Sequence, residues 1–131
     1  MSNLKYNIFI GRYQPLHEGH KKLMKVILDE GKNILVLLRD TGINESNPYN
    51  FEERYLMFMD AFPDEVHSGK MRIEQFKGAD IEGVCYGRKV GYGVREIHLD
   101  EKTEQISATE IRRNINPTED ITDIYVLDYI I

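Results

Sequence analysis

Two histidines, His17 and His20, stand three residues apart in the run Gly11-Arg12-Tyr13-Gln14-Pro15-Leu16-His17-Glu18-Gly19-His20. Residues at i and i+3 share a helix face, so both imidazoles can point into the same space. A helix N-terminus beside them would add free N–H groups and a partial positive charge, a setting that suits phosphate. Farther along, Ser107, Thr109 and Arg112 bring two hydroxyls and a guanidinium within six residues. Ser107 with Glu110 three residues later forms a capping box, which predicts a second helix N-terminus there.

The elements that must carry these groups can be read from periodicity. Residues 6–10 form a short apolar run, a buried first strand by pattern. In residues 18–30, Leu23, Val26, Ile27 and Leu28 fall three or four apart, which predicts a helix, and Gly31 sits where a C-terminal glycine cap belongs. The run 33–38 is continuously apolar, as in a central parallel strand buried on both faces. The opening is therefore a β–α–β unit. Its right-handed crossover places the histidine turn at the carboxyl edge of the sheet. Residues 39–50 are polar, with Gly42 and Pro48, and predict a loop over that same edge. Asn50 can cap a helix over 51–61, which Phe62-Pro63-Asp64 ends, with Met57 and Met59 in core packing.

Residues 71–76 alternate and predict a half-exposed edge strand. Residues 84–86 and 95–99 predict a fourth and a fifth strand. The link 77–83 is too short for a helical crossover. Gly87-Arg88-Lys89-Val90-Gly91-Tyr92-Gly93 is a glycine-rich basic loop, and the β-branched tail 121–131 is read as a terminal helix.

Composition narrows the classes. The 131 residues suffice for one domain, residues 1–131, with one core. A formal charge of −5 argues against a broad nucleic-acid face, though not against a local basic pocket. The single cysteine, Cys85, excludes an internal disulfide and reads as a small buried residue. The first apolar run is too short to span a membrane and follows no signal-peptide pattern, so a cytoplasmic protein without membrane contact is expected. A zinc site built on His17 and His20 lacks a third ligand at ligand spacing. Neither a phosphate-binding Gly-x-x-x-x-Gly-Lys loop nor a Gly-x-Gly-x-x-Gly fingerprint is present.

The run 11–20 resembles the first signature of the cytidylyltransferase-like nucleotidyltransferase superfamily, in its adenylyltransferase branch, whose pattern is Gly-Arg-Phe-Gln-Pro-x-His-x-Gly-His. Tyr13 departs from it by one phenol hydroxyl. Ile106-Ser107-Ala108-Thr109-Glu110-Ile111-Arg112 is similar to the second signature, and Asn47-Pro48-Tyr49 with Glu53-Arg54 to a third stretch of that branch. The resemblance implies an α/β fold: a Rossmann-like sheet of five parallel strands in the order 3-2-1-4-5, helices on both faces, here with the third crossover shortened. It implies attack of a substrate phosphate on the α-phosphorus of ATP. His17, His20 and Arg112 would be the catalytic set. Gly11, Arg12, Tyr13, Gln14, Gly19, Gly87, Arg88, Ile106, Ser107 and Thr109 would line the nucleotide. Mg²⁺ would bridge phosphates, no residue being assigned as a metal ligand.

Elementary chemistry agrees with this scheme. Donors aimed at the crowded α-phosphate favour the transition state over the ground state. Hydroxyls, a helix N-terminus and an arginine suit the departing pyrophosphate. The expected acceptor is a small phosphate-bearing molecule resembling nicotinamide mononucleotide. Two other readings fit the same pattern: a cytidylyltransferase using CTP, and a nucleotide-binding module without turnover. An exposed edge strand would favour homo-oligomers.

Overall fold

The computed structural model describes residues 4–85, 93–99 and 111. Three parallel strands form its sheet: β1 (Tyr6–Gly11), β2 (Asn33–Leu38) and β3 (Met71–Gln75), ordered β1-β2-β3. The crossovers are α1 (Glu18–Asp29) between β1 and β2, then α2 (Phe51–Ala61) and α3 (Pro63–Ser68) between β2 and β3. Ile8 pairs with Leu35, which pairs with Arg72, so the register sets Phe9, Val36 and Ile73 in one row and Ile34 beside Met71 in another.

One face of this sheet is buried. Phe9, Ile34, Val36, Leu38, Met71 and Ile73 meet Met24 and Ile27 of α1, Phe58 of α2 and the linking Phe62 in a single cluster. Both crossovers advance the same way across the sheet. Right-handedness therefore puts their helices on the same side. The expectation of helices on both faces is not met among the described residues. For the same reason β1 is only half buried: Ile8, on the face away from the helices, is 56 % exposed.

The first helix ends as its sequence predicts. Gly31 adopts φ +77°, its N–H donates to the Leu28 carbonyl at 2.9 Å, and the Lys32 N–H reaches back to Ile27. Phe62-Pro63-Asp64 ends α2 at Ala61, as predicted, with Phe62 in a non-helical conformation, and a further short helix follows at once. Pro63 opens this helix, α3, because a proline with fixed φ and no N–H suits a first helical position, and Asp64 and Glu65 follow in the first turn. Strand β3 has the alternating burial of an edge strand.

Residues 77–83 form no helix, as their number predicts. The fourth and fifth strands are not seen: Val84, Cys85 and residues 95–99 pair with no strand among the described residues. These runs are short and stand in water, with Val84 74 % and Val94 86 % exposed; of them only Ile97 packs against the core. Cys85, expected to be buried, is exposed because it belongs to this unpaired stretch. Arg95 anchors the second stretch, donating from Nη1 and Nη2 to the two carboxylate oxygens of Glu30 at 2.8 and 2.6 Å. No described helix is long and apolar enough to cross a membrane.

Candidate active site

The histidine turn lies where β1 gives way to α1. His17 is the N-cap of α1, in extended backbone, and its Nδ1 accepts the N–H groups of Gly19 at 3.1 Å and His20 at 3.4 Å. The His17 N–H donates in turn to His20 Nδ1 at 3.2 Å. This is a capping box built from two imidazoles instead of a hydroxyl and a carboxylate. It has a chemical consequence. A backbone N–H is always a donor, so both Nδ1 atoms are acceptors and the ring proton of each neutral imidazole sits on Nε2. The rings stack with centroids 3.6 Å apart and planes 16° apart, and the Nε2 of His17 is buried. His17 and His20 thus come together in a dry setting: they are 6 % and 4 % exposed.

Tyr13 braces this pair from behind. Its ring meets His20 edge-on at 4.7 Å and Phe58 at 5.1 Å. The residue has φ +52°, a left-handed conformation that is strained for a bulky side chain. Its hydroxyl is buried with no hydrogen-bond partner among the described residues, and burial pushes its pKa well above the ordinary value. The Gln14–Pro15 peptide is cis. Gln14 is 1 % exposed and its amide reads the backbone of Tyr49 twice, Nε2 donating to the carbonyl at 3.0 Å and Oε1 accepting the N–H at 2.9 Å. The side chains of Tyr13 and Gln14 therefore build the turn from inside. Gly11 closes β1, its carbonyl accepting the Arg39 N–H at 2.9 Å, and Gly19 lies buried in the first turn of α1.

Arg12 reaches into the loop 39–50. Its Nη1 donates to the Ser46 carbonyl at 3.3 Å and to Asn47 Oδ1 at 3.1 Å. Asn47 is held by Asn44, whose Oδ1 accepts both its N–H and its side-chain amide. At the end of the loop, Asn50 caps α2 through Glu53 N–H at 2.8 Å while Glu53 returns the bond at 3.1 Å. Arg39 forks onto Asp80 at 2.9 and 2.8 Å, which holds that carboxyl below its usual range. So the loop that the sequence placed over the histidines is bonded to the first turn at several points. Asn47 and Arg54, whose chemistry the residue pattern alone did not single out, are buried parts of this assembly; the Asn-Pro-Tyr and Glu-Arg stretches were the signal for them.

Gly87, Arg88, Ile106, Ser107, Thr109 and Arg112 lie outside the described residues. In the expected second helix only Ile111 is described, and it is helical. Among the described residues no three His, Cys, Asp or Glu side chains gather into a metal cage. A divalent ion would then take its ligands from phosphate and water, as Mg²⁺ commonly does. A groove of about 260 Å³ is lined by Leu16, Lys21, Met57, Asp60 and Ala61, with neither histidine in its wall.

Residues 8–71, from β1 to the first residue of β3, match the family model described as cytidylyltransferase-like. A nicotinamide/nicotinic acid mononucleotide adenylyltransferase of Acinetobacter baylyi is 31 % identical over 142 residues, covering 86 % of this chain and 76 % of the relative. The chain belongs to the cytidylyltransferase-like family. Similar too is the nicotinamide-nucleotide adenylyltransferase of Pyrococcus furiosus, 27 % identical across 97 % of this chain and 83 % of its own. That of Thermoplasma acidophilum is 36 % identical over 55 residues, 40 % of this chain and 31 % of its own. No solved structure matches. As a cytidylyltransferase-like protein with adenylyltransferase relatives, the chain is a nucleotidyltransferase of adenylyltransferase type.

Proposed function

We propose that the protein transfers AMP from ATP to a small phosphate-bearing acceptor, nicotinamide mononucleotide being the first to test, and releases pyrophosphate. The observation that carries this is the imidazole pair: two stacked rings locked by main-chain N–H groups so that both carry their proton on Nε2 at one helix N-terminus. The acceptor phosphate is itself the nucleophile, so no catalytic nucleophile is required of the protein. His17 and His20 hydrogen-bond the α-phosphate oxygens and favour the more negative transition state. Because the donors are preorganised in a dry site, they reorient little as charge develops. Arg12 adds fixed charge beside the phosphate chain. Ser107, Thr109 and Arg112 hold the β- and γ-phosphates, with Gly87 and Arg88 near the nucleotide. Mg²⁺ would supply further charge neutralisation when bound.

Pyrophosphate release from ATP over a panel of phosphate-bearing acceptors tests the reading. A His20→Ala variant should lose roughly 10²–10⁴ in turnover, the range for a lost proton or transition-state donor. Wild-type turnover in that variant would refute the assignment. Arg112→Ala should chiefly weaken ATP binding, and unchanged affinity by calorimetry would count against its role.

A further inference from the structure

Arg54 belongs to neither nucleotidyltransferase signature, yet it is 3 % exposed and its guanidinium touches three separate stretches of chain. Nη1 donates to the carbonyl of Arg12 at 3.0 Å and to that of Arg39 at 2.8 Å, and Nε donates to the carbonyl of Asn50 at 3.2 Å. Arg12 follows β1, Arg39 follows β2 and Asn50 caps α2. One side chain therefore pins the chain where it leaves the first strand, where it leaves the second and where it enters the second helix.

The partners are all main-chain oxygens. Burial lowers the pKa of Arg54, opposed by Asp40, which acts through space without a hydrogen bond to it. A buried cation without a bonded carboxylate is costly. Cementing a loop does not require one, since Gln14 already ties Tyr49 with a neutral amide. What the guanidinium adds is a rigid planar fork that spans carbonyls too far apart for one ammonium group. Two of its three bonds end on residues next to the site's own arginine: Arg12 itself, and Arg39, whose N–H bonds to the Gly11 carbonyl.

We propose that Arg54 is a positioning residue for nucleotidyl transfer: it fixes the Arg12 backbone against the loop 39–50 and so holds the buried Arg12 guanidinium on Ser46 and Asn47, where its charge stands beside the histidine turn. The inference rests on the function proposed above. Arg54 itself touches no substrate and acts through Arg12.

The test compares wild type, Arg54→Lys, Arg12→Ala and the double variant by pyrophosphate release, together with amide hydrogen exchange of residues 11–16 and 39–50. Arg54→Lys should lower kcat/KM for ATP at least tenfold and speed exchange in both segments together. In the Arg12→Ala background the same change should cost less than about threefold more, because effects that pass through one group do not add. Full additivity, or kcat/KM within twofold of wild type, overturns the proposal, as does exchange that stays unchanged. Arg54→Gln is the second variant, judged by the same readouts. If neither variant folds, Arg54 serves the fold and the proposal falls. If wild type releases no pyrophosphate with any acceptor, the functional reading fails, and coupled exchange still decides whether the clamp exists.

Discussion

Replacing Tyr13 by phenylalanine should make this protein more stable. The hydroxyl is buried and bonded to none of the described residues, while the ring keeps its edge contacts with His20 and Phe58 whichever residue is present. Both side chains carry a Cβ, so the backbone cost at φ +52° is the same before and after. A desolvated hydroxyl without a partner costs about 1–3 kcal/mol. Its removal forfeits a few dispersion contacts at about 0.1–0.2 kcal/mol each, roughly 0.5 kcal/mol together. The balance favours Tyr13→Phe by about 1–2 kcal/mol. For a domain of this size that is a rise in Tm of roughly 3–8 °C. Urea unfolding followed by circular dichroism should give a higher midpoint with an unchanged m-value, the sign of altered stability without altered exposure. A variant less stable than wild type by about 1 kcal/mol would refute the reasoning, since it would mean that the hydroxyl holds a hydrogen bond in the folded protein.

Three further outcomes follow from the geometry. Long-range ¹H–¹⁵N spectra at neutral pH should show His17 and His20 as Nε2–H tautomers, because both Nδ1 atoms accept backbone N–H groups; an Nδ1–H ring in either would break the proposed cap. Gly31→Ala should cost about 1 kcal/mol, since the left-handed φ of +77° is open to glycine but strained for alanine, although nothing lies near the added methyl; an unchanged denaturation midpoint would contradict this. Glu30 is pulled down from 4.5 to about 2 by its hydrogen bonds, first to Arg95 and then to Lys32. A lowered folded-state pKa means that the contribution is present above 4.5 and lost as pH falls toward 2. Residues 94–99 should therefore loosen from α1 across that window, with Glu30→Gln abolishing the dependence; amide exchange that does not change with acid would count against it. The pair is exposed, so salt should weaken the effect.

How far a sequence speaks depends on the range of the force involved. The two crossovers, the span of α2, its Asn50 cap and the Gly31 cap were legible because each is decided within a few residues: apolar spacing, a side-chain oxygen three residues from an N–H, a glycine that tolerates positive φ. The closeness of His17 and His20 was legible from their spacing of three, although His17 is the extended N-cap and the reciprocal cap, not a shared helix face, brings the rings together. The break at Phe62-Pro63-Asp64 was legible too, but the short helix α3 that Pro63 opens was not, because a proline that ends one helix also suits the first turn of the next. Residues 84–85 and 95–99 had strand composition, but a strand exists only when a neighbour supplies its hydrogen bonds, and composition names no neighbour. Most of what holds the site lies beyond local pattern. Gln14 with Tyr49 and Arg12 with Asn47 are joined across 35 residues, and Arg54 with Arg12 across 42. The sequence by itself determined the strand-to-helix turn that carries His17 and His20 and the family to which the chain belongs, because residue types and local spacing suffice for that. Only the tertiary structure decided which of the side chains are exposed, which are turned inward as scaffold, and which distant arginine holds the turn in place, because burial and long-range hydrogen bonds are properties of the packed chain.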